Sequence, residues 1–346
     1  MIVRLYDDMF LQHGVPWHPE NAQRLRAITE RLHDDGLWHE MSPVEFEPAT
    51  QEQLLRVHEE WYLDDLRDAS QAGGEAWDTD TIATDRTWEV ACLAAGACTA
   101  AAELVTVSPD TQALCLVRPP GHHALPTRAM GFCFLNNTAL AVEAAVQSGA
   151  QRVAVFDCDV HHGNGVQDIF YNRGDVLYMS IHQTDLFPGT GTVDELGLDA
   201  GFGLNVNVPL PQGARAEHYR RAWEELFAPL TRRFAPDLII LDMGYDTHWR
   251  DPLGNMALCA DAYHEITSQV LAAARESCAG RLQIILEGGY HAPSLARGVE
   301  NTVLALLGEP LQEPDEPAPA GAPEQIRRVE EHLEHALGVH RERLGI

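Results

Sequence analysis

Five short apolar runs, each followed directly by polar side chains, constrain this chain more than any other feature. They are residues 113–117, 153–156, 176–181, 238–243 and 282–286. Each is short, and most are rich in β-branched residues, which suits a buried strand. Helix-compatible segments at about 136–148, 215–234 and 258–278 lie between most of them. Strand alternating with helix predicts an α/β fold whose parallel sheet is covered on both faces. In such sheets ligands bind beyond the carboxyl ends of the strands. That is where Arg118 to His123, Asp157 to His161, His182, Asp246 with His248, and Glu287 to Tyr290 fall.

The remaining chain fits around this frame. Residues 2–6 read as a first strand. Leu25, Ile28 and Leu32 predict an amphipathic helix ended by Gly36. Thr50, with Glu52 and Gln53, marks a helix start that Leu54, Leu55 and Val57 continue. Residues 69–84 form a loop rich in Gly and Asp, and residues 87–107 an alanine-rich buried helix. Residues 309–323 hold five prolines among acidic and small residues, which predicts an extended arm. In the 324–344 helix that follows, Ile326, Val329, Leu333 and Leu337 form an apolar stripe suited to packing back on the domain. The expected division is therefore 1–308, an arm at 309–323 and a terminal helix within 324–346.

The stretch VAVFDCDVHHGNG at 153–165 carries most of the chemistry. In an extended segment Asp159 and His161 share a face. With Asp246 they supply two carboxylates and one imidazole, leaving an open position on a zinc ion. A strand ending in a solvated polar turn also fits these residues alone. His162, His182 and His248 suit structural hydrogen bonds better. His122 and His123, in a proline-rigid loop, can serve acid–base catalysis near neutral pH. The Tyr290 hydroxyl can stabilise an oxyanion, although a packed tyrosine is the default for a Gly-Gly-Tyr sequence.

Seven runs in order then point to a family: HPEN at 18–21, RPPGHHA at 118–124, GFCFLNN at 131–137, FDCDVHHGNG at 156–165, PGTG at 188–191, GYDTHWRDPLG at 244–254 and EGGY at 287–290. The chain resembles the zinc-dependent histone deacetylase superfamily, which includes acetylpolyamine amidohydrolases, and its forms look like the class II branch. The resemblance implies a three-layer α/β/α fold with a central parallel sheet, shared with arginases. It puts zinc on Asp159, His161 and Asp246. His123 becomes the base that activates water and then the acid that protonates the leaving amine. His122 becomes its electrostatic partner, and Tyr290 donates to the substrate carbonyl. Asp157 would hold His122. Asn164 stands where many class I members carry an aspartate and would hold His123. Structural potassium is implied at Asp157, Ser180 and the carbonyls of Asp159, His161 and Ile181, with a second site around Phe170, Arg173 and Val176. Phe132, Phe187, Leu253 and Gly289 would line a substrate tunnel, with Asp80 at its rim.

The implied activity is removal of acetyl or another acyl group from lysine side chains of proteins or peptides. An acetylpolyamine substrate is the runner-up. Leu253 disfavours it, because one polyamine-specialist branch has glutamate there. A catalytically silent acyl-lysine-binding module and a two-manganese arginase-like hydrolase are the readings from other classes. The net charge of -28, from 52 acidic and 24 basic residues, argues against direct nucleic-acid binding. Seven scattered cysteines without CxxC spacing suit a reducing, cytoplasmic setting. The N-terminus does not read as a signal peptide, and no stretch is expected to approach membrane-span length. A homo-oligomer is compatible with the sequence.

Overall fold

The structure, a computed structural model, describes residues 1–345; the last residue of the 324–346 segment lies outside them. Among the described residues eight strands form one sheet: β1 (Ile2–Leu5), β2 (Ser42–Pro43), β3 (Gln112–Cys115), β4 (Val153–Asp157), β5 (Val176–Gln183), β6 (Asn205–Leu210), β7 (Leu238–Met243) and β8 (Leu282–Leu286). Their order is β2-β1-β3-β8-β7-β4-β5-β6, and every pairing is parallel. Val153, Val155, Ile240 and Ile284 of the inner strands are fully buried, as two covered faces require. Helices flank the sheet, giving the α/β architecture that the alternation predicts. The loops after β3, β8, β7 and β4, four neighbours at the centre, carry most of the polar residues singled out above.

The observed helices refine several expectations. The segment after Thr50 does form a capping box with Gln53, but that helix is only Gln51–Leu54; a second, Glu60–Gln71, follows it. The 215–234 helix runs as Ala216–Ala222 and Ala228–Phe234 with a π turn at Trp223–Phe227 between them. Asn136 caps the helix Asn137–Gln147, its side-chain oxygen accepting from Ala139 N at 2.9 Å. The helix Thr87–Val107 corrects one expectation. Its 21 residues are long and apolar enough to cross a membrane by length and composition alone. It is nevertheless a core helix, with 72% of its most apolar window buried inside the protein.

The edge strand β6, the helix Asn164–Phe170 and the helix Ala292–Leu307 are additional to the sequence reading. β6 reads NVNVPL, and its Asn and Pro mimic turn residues. Asn205 and Asn207 are buried, and each donates to Gln167 Oε1 at 2.8 Å. Pro209 is tolerated because the strand is an edge. The helix Pro323–Leu344 packs on this edge, and His340 Nε2 donates to Asn207 O at 2.8 Å. Val329, Leu333 and Leu337 of its stripe are fully buried, whereas Ile326 is exposed.

Candidate active site

Two residues beyond β4, Asp159 and His161 turn toward Asp246 from the loop after β7. One donor atom from each lies within 4.8 Å of the others. His161 Nδ1 is 3.1 Å from Asp159 Oδ1 and 3.2 Å from Asp246 Oδ2. Backbone amides hold the carboxylates: Gly288 N donates to Asp159 Oδ2 at 2.8 Å, and Val160 N to Asp246 Oδ1 at 2.9 Å. Asp246 Oδ2 is buried without a hydrogen-bond partner. Burial, and then Asp159 beside it, raises the Asp246 carboxyl to about 7. Burial opposes the charge on His161, but the two carboxylates raise it to about 10. Two buried carboxylates, an imidazole and an orphaned oxygen fit a divalent cation. The cradle also requires glycine at 288, where a Cβ would lie 2.1 Å from Asp246 Oδ2.

The histidine pair stands beside this cluster, with ring centroids 3.9 Å apart. His122 Nδ1 lies 3.1 Å from Asp157 Oδ2, which also accepts from the Tyr178 hydroxyl at 2.9 Å. His123 Nδ1 lies 2.8 Å from Asn164 Oδ1. Burial opposes charge on both rings. For His122, Asp157, Asp159 and Glu287 overcome it and hold the pKa well above the usual value. For His123, burial is reinforced by His122 and His161, and the pKa falls well below it. The surroundings thus favour charge on His122 and a neutral ring on His123.

Tyr290 follows β8 and is fixed through its backbone, since Tyr290 N donates to Asp251 Oδ2 at 2.6 Å. Its ring lies 4.9 Å from the Arg24 guanidinium and 5.7 Å, edge-on, from Phe132. Tyr290, His123 and His161 open into a cavity of about 230 Å³. Phe132, Phe187, Leu186 and Leu253 supply its apolar lining, and Asp80 an acidic one. Phe132 holds a left-handed backbone, φ 68°, a strained choice for an aromatic residue. Asp80 is anchored through its carbonyl, which accepts from His18 Nε2 at 2.8 Å. A larger cavity of about 320 Å³, among Met9, Leu54, Leu63 and Trp88, contains none of the metal-ligating or histidine-pair residues.

Gly289, expected in the tunnel wall, is not among the lining residues; its carbonyl accepts from Arg24 Nε at 2.6 Å. His162 and His182 are engaged in hydrogen bonds with Thr190, Gln167, Ser180 and Gly191. Ser180 is the register partner of Asp157, and Ile181 follows it, both buried in β5. Sequence reasoning did not single out Leu186, Gly131, Asp251 or Arg24. Asp251 had a signal in the DPLG run, since an acidic residue before proline offers its side chain to nearby amides. The buried set Glu20, Arg24 and Arg118 had one in HPEN and RPPG. Glu20 Oε2 accepts from Arg118 Nη2 at 2.7 Å, and Glu20 Oε1 from Arg24 Nη1 at 3.2 Å.

The chain matches known proteins over most of its length. A histone deacetylase domain model matches residues 18–306. A histone deacetylase-like amidohydrolase of Pseudomonas aeruginosa is 42% identical over 275 residues, covering 79% of this chain and 72% of that protein. A probable deacetylase of Archaeoglobus fulgidus is 39% identical over 289 residues, covering 83% and 80%. The crystal structure of the HDA15 HD domain superposes with a TM-score of 0.89 at 33% identity, over 99% of this chain and 94% of that one. Matches this extensive, falling on a metal-ready triad beside a polarised histidine pair, show that the chain belongs to the histone deacetylase family and is a hydrolase of amide bonds.

Proposed function

We propose that the chain removes acetyl or other acyl groups from lysine side chains, with zinc held by Asp159, His161 and Asp246. The observation that carries this reading is the single cavity of about 230 Å³ that joins His123, His161 and Tyr290 to an apolar lining. When bound, zinc polarises a carbonyl and makes water a stronger nucleophile at neutral pH.

The protein's own groups do the rest. Phe132, Phe187 and Leu253 suit the methylene stem of a lysine side chain, which loses little on leaving water. The Tyr290 hydroxyl donates to the substrate carbonyl oxygen as negative charge develops there. Because His123 Nδ1 donates to Asn164, Nε2 keeps its lone pair and takes a proton from the attacking water. His123 then gives that proton to the leaving amine as the C–N bond breaks. His122 stays charged and Asp157 holds it in place. The products are a free amine and a carboxylate.

We also infer a structural potassium ion near Asp157 and Ser180, with the carbonyls of Asp159, His161 and Ile181. His182 Nε2 donates to Gly191 O at 3.0 Å, so its Nδ1 accepts from the Ser180 hydroxyl at 2.9 Å. That leaves the Ser180 lone pairs free for a cation. Residues 1–308 form the proposed catalytic unit, and seven unpaired cysteines fit a reducing cytoplasm.

A lysine substrate is favoured over a polyamine because Leu253 offers no charge for a second ammonium, which would be costly to bury beside it. The test is kcat/KM on acyl-lysine peptides against acetylspermidine. The peptides should be preferred, and Leu253→Glu should narrow the difference. A strong wild-type preference for acetylspermidine would overturn the reading.

A further inference from the structure

The proline-rich arm is tied along its length. His264 Nε2 donates to Glu309 O at 2.9 Å, and Arg297 Nη2 to Glu313 O at 2.8 Å. Trp249 Nε1 donates to Glu316 O at 3.2 Å, and Arg250 pairs with the Glu316 carboxylate. At the centre of these ties is Asp315. Its Oδ2 accepts from Ala260 N at 2.8 Å and from His248 Nε2 at 2.9 Å.

His248 belongs to the loop that carries Asp246, Asp251 and Leu253. It is 1% exposed, and both ring nitrogens are committed. Arg250 N donates to Nδ1 at 3.1 Å, so the proton sits on Nε2 and points at Asp315. From His248 the connection continues by short bonds. Asp251 N donates to His248 O at 2.8 Å. The Asp251 carboxylate in turn accepts from Tyr290 N at 2.6 Å, His291 N at 3.1 Å and Leu253 N at 3.0 Å. The arm is therefore linked through two residues to the backbone of the hydroxyl donor and to a wall of the cavity.

We propose that Asp315 is a positioning residue for the reaction, acting through His248 and Asp251 on Tyr290 and Leu253; this role rests on the deacetylase reading above. The loop from Gly244 to Ala260 contains no helix or strand, only a bridge between His248 and Leu258. Backbone bonds to Gly213, Ala214 and Gly288 hold its ends, and side-chain ties hold its middle. Removing the Asp315 carboxylate leaves two donors, His248 Nε2 and Ala260 N, without their shared acceptor. A buried donor left unpaired drives local rearrangement. Small displacements of a group that must meet the transition state are expensive in rate.

The experiment uses the full chain and an acetyl-lysine peptide. Asp315→Ala should lower kcat by roughly tenfold or more, the scale seen when an orienting partner is lost. KM should change far less, and zinc content should stay at the wild-type level. Amide hydrogen exchange should quicken at 244–254 and 287–291, not only in the arm. Asp315→Asn keeps an acceptor oxygen for both donors and should recover most of kcat. Arg297→Ala releases the arm at Glu313 and Pro314 and removes the cation 3.9 Å from Asp315 Oδ1, while leaving the Asp315 carboxylate on His248 and Ala260. It should give a smaller loss with the same exchange footprint. It covers the case in which Asp315→Ala does not fold. Wild-type kcat in Asp315→Ala, or exchange changes confined to 309–344 in both variants, would overturn the proposal. A wild-type enzyme inactive on every acyl-amine would instead sink the deacetylase reading, and this role with it.

Discussion

Asn164 presents its side-chain carbonyl oxygen to His123 Nδ1 at 2.8 Å. A carbonyl oxygen can only accept, so the contact places the imidazole proton on Nδ1 and leaves Nε2 as a base. The amide nitrogen of Asn164 faces His123 O at 3.5 Å, which agrees with that orientation. Asn164→Ala should therefore lower kcat by roughly 10- to 100-fold with little change in KM. Asn164→Asp restores an acceptor and should recover much of the loss. Steady-state kinetics decide it, and a wild-type kcat in Asn164→Ala would remove Asn164 from the account.

Tyr290 supplies the hydroxyl on the other side of the reacting carbonyl. Tyr290→Phe keeps the ring over Arg24 and against Phe132 while deleting the donor. The loss should be about 100- to 1,000-fold in kcat, because the bond strengthens as charge develops. An unchanged kcat would show that Tyr290 only packs.

How far these sites were legible depends on local signal. β4 and its successors Asp159 and His161 were readable because an unbroken β-branched run ends in residues at alternate positions. The assembly with Asp246 needed long-range information, namely that β7 pairs with β4 in register, Asp157 opposite Asp242. β6 escaped notice because Asn205 and Asn207 satisfy their amides inside the protein, on Gln167, where sequence alone suggests a turn. The Gly-Gly pair signals close approach without saying to what; at Gly289, with φ 122°, a Cβ would lie 2.9 Å from Tyr245 Cβ and 3.0 Å from Leu295 Cδ1.

Acid should weaken the fold through buried histidines and one glutamate. Burial lowers His13 and His58 to about 4 from an ordinary 6.5. His58 is held neutral between Leu125 O at 3.1 Å and Asn136 N at 3.0 Å. Burial opposes the charge of Glu20, but Arg118 and Arg24 hold it at about 2 against an ordinary 4.5. In all three cases the unfolded chain binds protons more readily than the folded one, so stability rises with pH. The histidine contribution is full above 6.5 and disappears as pH falls toward 4. The Glu20 contribution is full above 4.5 and disappears toward 2. Each is on the order of a few kcal/mol. Asp246 and Glu287, raised by burial to about 7, act in the opposite direction between pH 7 and 4, so the test compares variants. Lowering the pH from 7 to 4 should shift the urea midpoint of the wild type downward relative to that of His58→Gln. An identical pH dependence in the two would contradict neutral burial of His58.

The chain that would deacylate lysine contains no lysine; all 24 of its basic Lys or Arg positions are arginine. Its side chains therefore offer no primary amine. Amine-selective acetylation followed by hydroxylamine should leave no side chain of this sequence acetylated and kcat unchanged. Intact mass with a parallel assay reads both, and a stable loss of activity would reveal a reactive nucleophile that the site described here lacks.

Zinc titration tests the central claim most directly. Metal is stripped with a chelator, zinc is returned in steps, and hydrolysis of an acetyl-lysine peptide is followed alongside bound metal. Activity should vanish with the metal and return in proportion to zinc, levelling at one equivalent per chain, while Asp246→Ala binds little zinc and stays inactive. Full turnover by metal-free protein, or a plateau only at two equivalents, would contradict a single zinc held by Asp159, His161 and Asp246.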